Sequence, residues 1–152
     1  MDNSILVEQV TFFSPHVFDV IRNLAQQEGE NYKPLTDDDA KGMLTSSHIY
    51  LYIARDTLSD TVVGMGTLII HRIPYVKKAL MEDVVVDHMY RGRGIGTMII
   101  GVLTERAKEL GASYIDFTAR PRREDSNSLY GKLGFNRRET NVYRKIFDYD
   151  EI

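Results

Sequence analysis

The stretch from Arg91 to Thr97 reads R-G-R-G-I-G-T, and it decides the fold of this chain. It follows a run of strand-forming residues and opens a pattern in which apolar residues recur every three to four positions, as in a helix. Glycines let the backbone approach a ligand closely, and the first turn of a helix offers unpaired N–H groups to an anion. Arginine adds charge with a geometry suited to phosphate. The stretch therefore predicts a phosphate or pyrophosphate site built from Arg91, Gly92, Arg93, Gly94, Ile95, Gly96 and Thr97.

The common nucleotide motifs fit this stretch less well. A P-loop needs a lysine directly after its last glycine, and none follows Gly96. The dinucleotide fingerprint needs its third glycine three positions after the second, whereas Gly92, Gly94 and Gly96 alternate. A plain strand-to-helix turn needs only one or two glycines. We therefore expect a phosphate-bearing ligand, with another kind of nucleotide kept as an alternative.

The length and composition indicate one globular domain, which we place over residues 1–152. The 152 residues are 43% hydrophobic and 27% charged, which is typical of a folded chain. The absence of cysteine excludes disulfides, zinc fingers, iron–sulfur ligation and cysteine nucleophiles. The net charge of −3 argues against a nucleic-acid partner, and four dispersed histidines give no metal site. Without a signal-peptide pattern or a long apolar run, we expect a cytoplasmic protein with no membrane partner.

Hydrophobic periodicity and turn residues predict ten elements in the order β-α-α-β-β-β-α-β-α-β. This order predicts an α/β fold layered around a mixed sheet. The expected bounds are Ile5–Val10, Ser14–Gly29, Thr36–Leu44, Ile49–Arg55, Val62–Ile70, Leu80–Val86, Ile95–Gly111, Tyr114–Ala119, Glu124–Leu133 and Asn141–Phe147.

The strand before the glycine-rich stretch carries two adjacent acidic residues. Strict alternation predicts that Glu82 shares one face with Leu80, Val84 and Val86, and that Asp83 lies on the other face.

A carboxylate in the middle of such a strand is costly unless it is paired or functional. Desolvation would raise the pKa of Glu82 towards the range useful for a general base. The alternative is a structural ion pair with Arg55 or Arg72.

Three spaced motifs resemble one family. The stretch Arg91–Gly96 matches the R/Q-x-x-G-x-G/A signature of the GNAT family of N-acetyltransferases. Glu82–Val86 resembles the strand that precedes this signature, and Ser128–Phe135 resembles the family's closing L-Y-x-K-L-G-F segment. The resemblance covers most of residues 48–147. It implies the acyl-CoA N-acyltransferase (GNAT) fold, a mixed central sheet with splayed parallel strands flanked by helices.

The resemblance implies an enzyme that transfers an acetyl group from acetyl-CoA to a primary amine by direct attack in a ternary complex. Residues 48–147 would bind acetyl-CoA and catalyse, and residues 1–47 would form the variable acceptor side. Backbone groups of Val84, Val85 and Val86 would pair with the pantetheine arm between the splayed strands. Glu82 would be the general base and Tyr130 the general acid that protonates the thiolate. The alternative for Tyr130 is a packed tyrosine with one hydrogen bond.

The chain departs from the family's pattern at one position. The family often has asparagine seven residues before its tyrosine, and this chain has Arg123 there. With Arg120 and Arg122 it forms a basic cluster, which could hold the 3′-phosphate of coenzyme A or could simply be solvated.

The acceptor is not encoded in these motifs. Glu28 and Tyr32 lie in a polar segment that is either a substrate-facing loop or a plain connector. Polyamines, amino acids, amino sugars, antibiotics and protein amines all stay open. A homodimer is one option for the oligomeric state. The rival function is a non-catalytic acyl-CoA-binding or sensing module of the same fold.

Overall fold

A five-stranded sheet in the order β1-β2-β3-β4-β5 organises this chain, whose computed structural model describes residues 3–28 and 33–147. Neighbouring strands are antiparallel from β1 to β4, whereas β4 and β5 are parallel. The prediction of a mixed sheet flanked by helices is confirmed. The elements are β1 Ile5–Gln9, α1 Pro15–Gln26, α2 Asp37–Thr45, β2 Ile49–Asp56, β3 Thr61–Ile73, β4 Val76–Val86, α3 Ile95–Glu109, β5 Ile115–Asp116 and α4 Glu124–Lys132.

Local capping residues start the first two helices, as the sequence predicts. The Ser14 hydroxyl accepts a hydrogen bond from the backbone N–H of Val17, and Pro15 occupies the first turn of α1. Thr36 and Asp39 form a reciprocal capping box at the start of α2. These side chains satisfy N–H groups that a helix leaves unpaired at its N-terminus.

Helices α1 and α2 cover one face of the sheet with an apolar core. The residues that form this core are buried on both sides of the contact and come from α1, α2 and strands β2 to β4. They are Phe18, Ile21, Leu24, Ala40, Leu51, Ile53, Val62, Met65 and Val85.

Helix α3 packs on β3 at close range because two glycines leave room for it. A Cβ added to Gly66 would lie 2.7 Å from Cγ2 of Ile99 and 2.9 Å from Cδ1 of Leu103, both of which are fully buried. At Gly64 an added Cβ would lie 3.1 Å from Cδ1 of Ile99. The close approach brings the start of α3 next to the end of β4, and this is where the glycine-rich stretch lies.

The strand predicted over Asn141–Phe147 is wrong. Residues 141–147 form no strand, and Val142, Tyr143 and Ile146 are between 73% and 88% exposed. The sequence does alternate, but a strand also needs a partner backbone to pair with. Alternation alone does not supply that partner.

The chain divides into two compact units, residues 1–117 and 118–152. The first contains the whole sheet with α1, α2 and α3, and the second contains α4. In the ranges that the structure describes, every helix is too short or too polar to span a membrane.

Candidate functional site

The strand β4 carries a bulge where the two acidic residues lie. Met65 pairs with Val85, and Thr67 pairs with Glu82, so two steps along β3 correspond to three steps along β4. Asp83 and Val84 together lie opposite the single residue Gly66, and Asp83 has a left-handed φ of 52°. Aspartate is one of the few residues other than glycine that tolerates this conformation. Bulges of this kind often redirect side chains next to active sites.

The bulge changes which face Glu82 occupies. Since Thr67 lies two residues from Met65, its partner Glu82 lies on the same face as Met65 and Val85, which is the face on which α1 and α2 pack.

Val84 and Val86 lie on the opposite face, towards α3. A Cβ added to Gly66 would be 3.5 Å from Cγ2 of Val84, and one added to Gly96 would be 3.8 Å from Cγ2 of Val86. The prediction that Glu82 shares a face with Val84 and Val86 is therefore wrong, because the bulge inverts the alternation.

Glu82 has no ion-pair partner among the residues that the structure describes. Arg55, one of the two arginines considered for it, instead donates to Oε1 of Glu8 at 2.8 Å and to Oδ1 of Asp60 at 3.0 Å. The other, Arg72, is exposed and likewise forms no ion pair within these ranges. The ion-pair interpretation of Glu82 has no contact to support it.

The environment of Glu82 favours its protonated form. Partial burial is the main cause that raises its pKa above the ordinary value of 4.5, and the neighbouring charge of Asp83 is the second. The side chain is still accessible to solvent. It therefore combines access with a pKa moved towards neutrality, which are the two properties that a general base needs.

The glycine-rich stretch forms a turn into an uncapped helix. Gly92 and Gly94 both have φ of 78°, and Gly94 is the N-cap of α3. Because glycine has no side chain, no side-chain hydrogen bond caps this helix, and the first intrahelical bond runs from Met98 N–H to the carbonyl of Gly94 at 3.1 Å. The N–H groups of Ile95, Gly96 and Thr97 precede that bond. Such a helix end suits an anion.

The two arginines of the stretch are held by contacts with residues that come just before it in the chain. Nε of Arg91 donates to the carbonyl of Val86 at 3.1 Å, which fixes the arginine against the end of β4. The guanidinium of Arg93 lies 4.9 Å from the ring centroid of Tyr90. Both arginines are exposed. They present positive charge beside the uncapped helix end.

The edge of β4 towards β5 is paired over a short length. The parallel register joins Ala79 to Ile115 and Leu80 to Asp116. β4 continues for six more residues, 81–86, and within the described ranges no strand pairs with that side of this segment. An extended chain could add there by main-chain hydrogen bonds.

A set of contacts at the end of β4 was not predicted from the sequence. The Asp87 carboxylate accepts from Met89 N–H at 2.8 Å and from Nε2 of Gln27 at 3.0 Å. The hydrogen bond from Met89 is the largest cause that lowers the pKa of Asp87, opposed by burial and assisted by Gln27 and by the charges of His88 and Arg91. Gln27 and Asp87 are sixty residues apart, so local sequence signals could not have found them.

In the second unit, helix α4 contains Tyr130, the residue predicted to be the general acid. Tyr130 is half-buried, and its carbonyl accepts from Phe135 N–H at 3.0 Å. Arg123 is exposed at the N-cap of α4. Nδ2 of Asn127 donates to the carbonyls of Arg120 and Arg123 at 3.1 and 2.8 Å, so this asparagine shapes the turn into the helix. The roles of Tyr130 and Arg123 stay predictions.

The acceptor-side predictions are only partly within the described ranges. Glu28 is half-buried just after α1, and Tyr32 lies outside the described residues. A cavity of about 320 Å³ is bounded by β1, β2 and the start of α1, which places it at the far edge of the sheet from Glu82. Within the described ranges, no three histidine or acidic side chains come together as a metal site.

Comparison with protein families gives a match over most of the chain. Residues 18–135 match the family model described as "Acetyltransferase (GNAT) family". This range includes the bulge, the glycine-rich stretch and α4, and it confirms the resemblance found in the sequence.

Individual proteins agree with this match. An uncharacterized N-acetyltransferase YobR of Bacillus subtilis is 39% identical over 64 residues, which cover 42% of this chain and 26% of that protein. A probable glucosamine 6-phosphate N-acetyltransferase of Drosophila melanogaster is 27% identical over 112 residues, which cover 72% of this chain and 50% of that protein. The chain thus spans half or less of the length of these two relatives.

A solved structure shows the same fold. The aminoglycoside N-acetyltransferase AAC(6')-Iy in complex with CoA superposes with a TM-score of 0.73 at 17% identity, over 93% of this chain and 94% of that one. At this identity the likeness concerns the fold.

Proposed function

The chain belongs to the acetyltransferase (GNAT) family, and from this premise we propose that it transfers the acetyl group of acetyl-CoA to a primary amine. The observation that carries the proposal is the junction between β4 and α3. There a solvent-accessible carboxylate of raised pKa, a strand edge without a partner in the described ranges and an uncapped helix end follow one another within sixteen residues of chain, 82–97.

The residues at this junction suit acetyl-CoA. The N–H groups at the start of α3, with Arg91 and Arg93 beside them, would bind the pyrophosphate. Main-chain groups of Val84, Val85 and Val86 would pair with the amides of the pantetheine arm, since amides in an extended chain can add to a strand edge. Arg123 would bind the 3′-phosphate.

The reaction needs a neutral amine, whereas an alkylamine is mostly protonated, as the alkylammonium ion, at neutral pH. Glu82, directly or through water, would accept the proton of the ammonium. The amine nitrogen would then attack the thioester carbonyl, the amide C–N bond would form and the C–S bond would break. Backbone N–H near Val85 would stabilise the oxyanion, and Tyr130 would protonate the departing thiolate. The nitrogen would lose its second proton to solvent as the amide forms, and solvent would return a proton to the tyrosine. We assign no covalent intermediate on the protein.

Glu28, Tyr32 and the α1–α2 side would contribute to acceptor binding. The position of Glu82 on the face covered by α1 and α2 supports this, because the base must meet the amine. Amino sugars are the first acceptors to test, since a relative's name specifies glucosamine 6-phosphate.

Two measurements test the proposal. Titration calorimetry with acetyl-CoA, ATP and NAD should show binding of acetyl-CoA alone. Release of free coenzyme A thiol should then be measured across a panel of amines, with the amino sugars first and polyamines, amino acids and peptides after them. Binding of ATP or NAD in place of acetyl-CoA would contradict the ligand. Binding of acetyl-CoA without turnover for any amine class would favour a sensing module.

A further inference from the structure

One side chain ties the C-terminal end of α1 to the residues that lead from β4 into the glycine-rich stretch. Nε2 of Gln27 donates to Oδ2 of Asp87 at 3.0 Å, and Oε1 of the same amide accepts from His88 N–H at 3.2 Å. Gln27 is the C-cap residue of α1 and follows the buried Leu24 by three positions, so it continues the face of the helix that packs on the sheet.

The two bonds require an amide. Asp87 can only accept through its carboxylate, and His88 can only donate through its N–H, so the residue between them must do both. Glutamate would set an acceptor against the Asp87 carboxylate, and an apolar residue would bond to neither group. The glutamine therefore matches both partners in a single orientation.

Asp87 also forms hydrogen bonds that fix the backbone leading into the glycine-rich loop. Its other oxygen, Oδ1, accepts from Met89 N–H at 2.8 Å, and its backbone N–H donates to the carbonyl of Val63 at 2.9 Å. The preceding residue, Val86, is held by Nε of Arg91 at 3.1 Å. The chain thus leaves β4 with a defined direction, and that direction sets where the glycine-rich loop begins.

We propose that Gln27 is a positioning residue, which joins the acceptor-side helix α1 to the residues leading into the glycine-rich loop, Arg91–Thr97, so that the two substrates meet in register. This inference rests on the proposed function, because it assigns acetyl-CoA to that loop. Gln27 acts through Asp87 and His88 and touches neither substrate.

A pair of exchanged side chains tests the proposal. Gln27→Glu places two carboxylates face to face. Asp87→Asn leaves one oxygen for the two donors Met89 N–H and Gln27 Nε2, so either orientation of the new amide sets its NH2 group against a donor. Each single variant therefore loses complementarity. The double variant Gln27→Glu/Asp87→Asn restores it, because the new glutamate accepts from both the asparagine amide and His88 N–H. The net charge of the double variant equals that of the wild type. We expect each single variant to weaken acetyl-CoA binding about tenfold, which is the scale of a lost hydrogen bond to a charged group.

The double variant should bind acetyl-CoA within about twofold of the wild type, as expected for coupled neighbours. Arg22→Ala is the matched control on the same helix. Arg22 bonds the carbonyl of Leu35 at 2.8 Å and pairs with Asp37 on the other side of α1, so its loss should lower Tm at unchanged acetyl-CoA Kd. Should Gln27→Glu fail to fold, Gln27→Met removes both bonds without adding charge.

The outcomes separate the two proposals. Single variants that bind acetyl-CoA like the wild type, or a double variant as weak as the singles, would overturn the role of Gln27 while leaving the proposed function intact. A wild-type protein that does not bind acetyl-CoA would overturn the proposed function and this inference with it.

Discussion

Glu82 lies in the last stretch of β4 and Asp87 directly follows the end of that strand, and the surroundings of the two carboxylates differ in every respect that matters for chemistry. Glu82 has no ion-pair partner in the described ranges, and partial burial raises its pKa. Asp87 accepts hydrogen bonds from Met89 and Gln27, which lower its pKa. A carboxylate that accepts hydrogen bonds stays ionised and holds structure, whereas a partly desolvated one takes up a proton more readily. The difference separates the residue that we expect to react from the residue that we expect to position.

Removal of the Glu82 carboxylate should reduce activity more than any other change. Glu82→Gln keeps the shape of the side chain but cannot accept a proton, so kcat/KM at neutral pH should fall about 10²–10⁴-fold, the range for a positioned base. Thiol release with a reactive amine measures this loss. A variant with nearly wild-type activity would show that Glu82 is not the general base.

The next largest effect is expected at Tyr130. Tyr130→Phe keeps the ring but removes the hydroxyl, so kcat should fall about 100-fold, at the lower end for an acid catalyst, with acetyl-CoA Kd unchanged. Tyr75→Phe is the matched control, since Tyr75 is 85% exposed in the turn between β3 and β4. An unchanged kcat for Tyr130→Phe, with chemistry shown to limit the rate, would leave this tyrosine as a packing residue.

The glycine-rich loop can be tested with paired glycines of one helix. Gly94 has φ of 78°, and a left-handed residue with a side chain costs about 1–2 kcal/mol. In the free Gly94→Ala variant the loop can relax out of this conformation, and ligand binding must then restore it, so the acetyl-CoA Kd should rise about tenfold in calorimetry. Gly101 lies in α3 with nothing within 4 Å of an added Cβ, so Gly101→Ala should leave the Kd unchanged. Equal affinities of the two variants for acetyl-CoA would show that the glycine-rich loop does not bind this ligand.

The sequence predicted what depends on near neighbours. The caps of α1 and α2 at Ser14 and Thr36 and the loop before α3 are encoded within a few residues, and all three occur where expected. The bulge at Asp83 was missed because it depends on the register with β3, although an aspartate beside another acid in a strand is a weak signal for it. Segment 141–147 was predicted to be a strand on alternation alone, without a partner backbone.

The contributions of Asp87 and Glu82 to the stability of the folded protein should depend on pH with opposite signs. Asp87 has a folded-state pKa below its unfolded value, so its contribution is present above the ordinary pKa of 3.8 and is lost as pH falls through the lower folded-state value. Asp87→Asn should therefore lower Tm at neutral pH, with a deficit that shrinks in acid.

Glu82 has a folded-state pKa above its unfolded value, so the folded state loses stability as pH rises from the ordinary pKa of 4.5 through the raised one. Glu82→Gln should keep or raise Tm at neutral pH, and this advantage should disappear in acid. Thermal unfolding of both variants across pH measures the contrast. Deficits of the same sign would mean that Glu82 is a structural residue like Asp87.

The smallest effect concerns Asp83, whose charge is the second cause of the raised pKa of Glu82. Asparagine also tolerates the left-handed backbone at this position. Asp83→Asn should therefore move the acid limb of the kcat/KM profile to lower pH while the bulge persists. A limb that stays in place would show that the charge of Asp83 does not reach the base.

The role of Glu82 as the base that deprotonates the amine should be visible in the pH dependence of kcat/KM for the wild type and for Glu82→Gln. The deficit of the variant should narrow from about pH 7 to about pH 10, because an alkylamine of pKa near 10 then arrives already neutral. The wild-type profile should fall in acid as Glu82 becomes protonated. A deficit that stays constant across this range, in a variant with wild-type Tm, would exclude Glu82 as the base and make it a residue that positions the substrate.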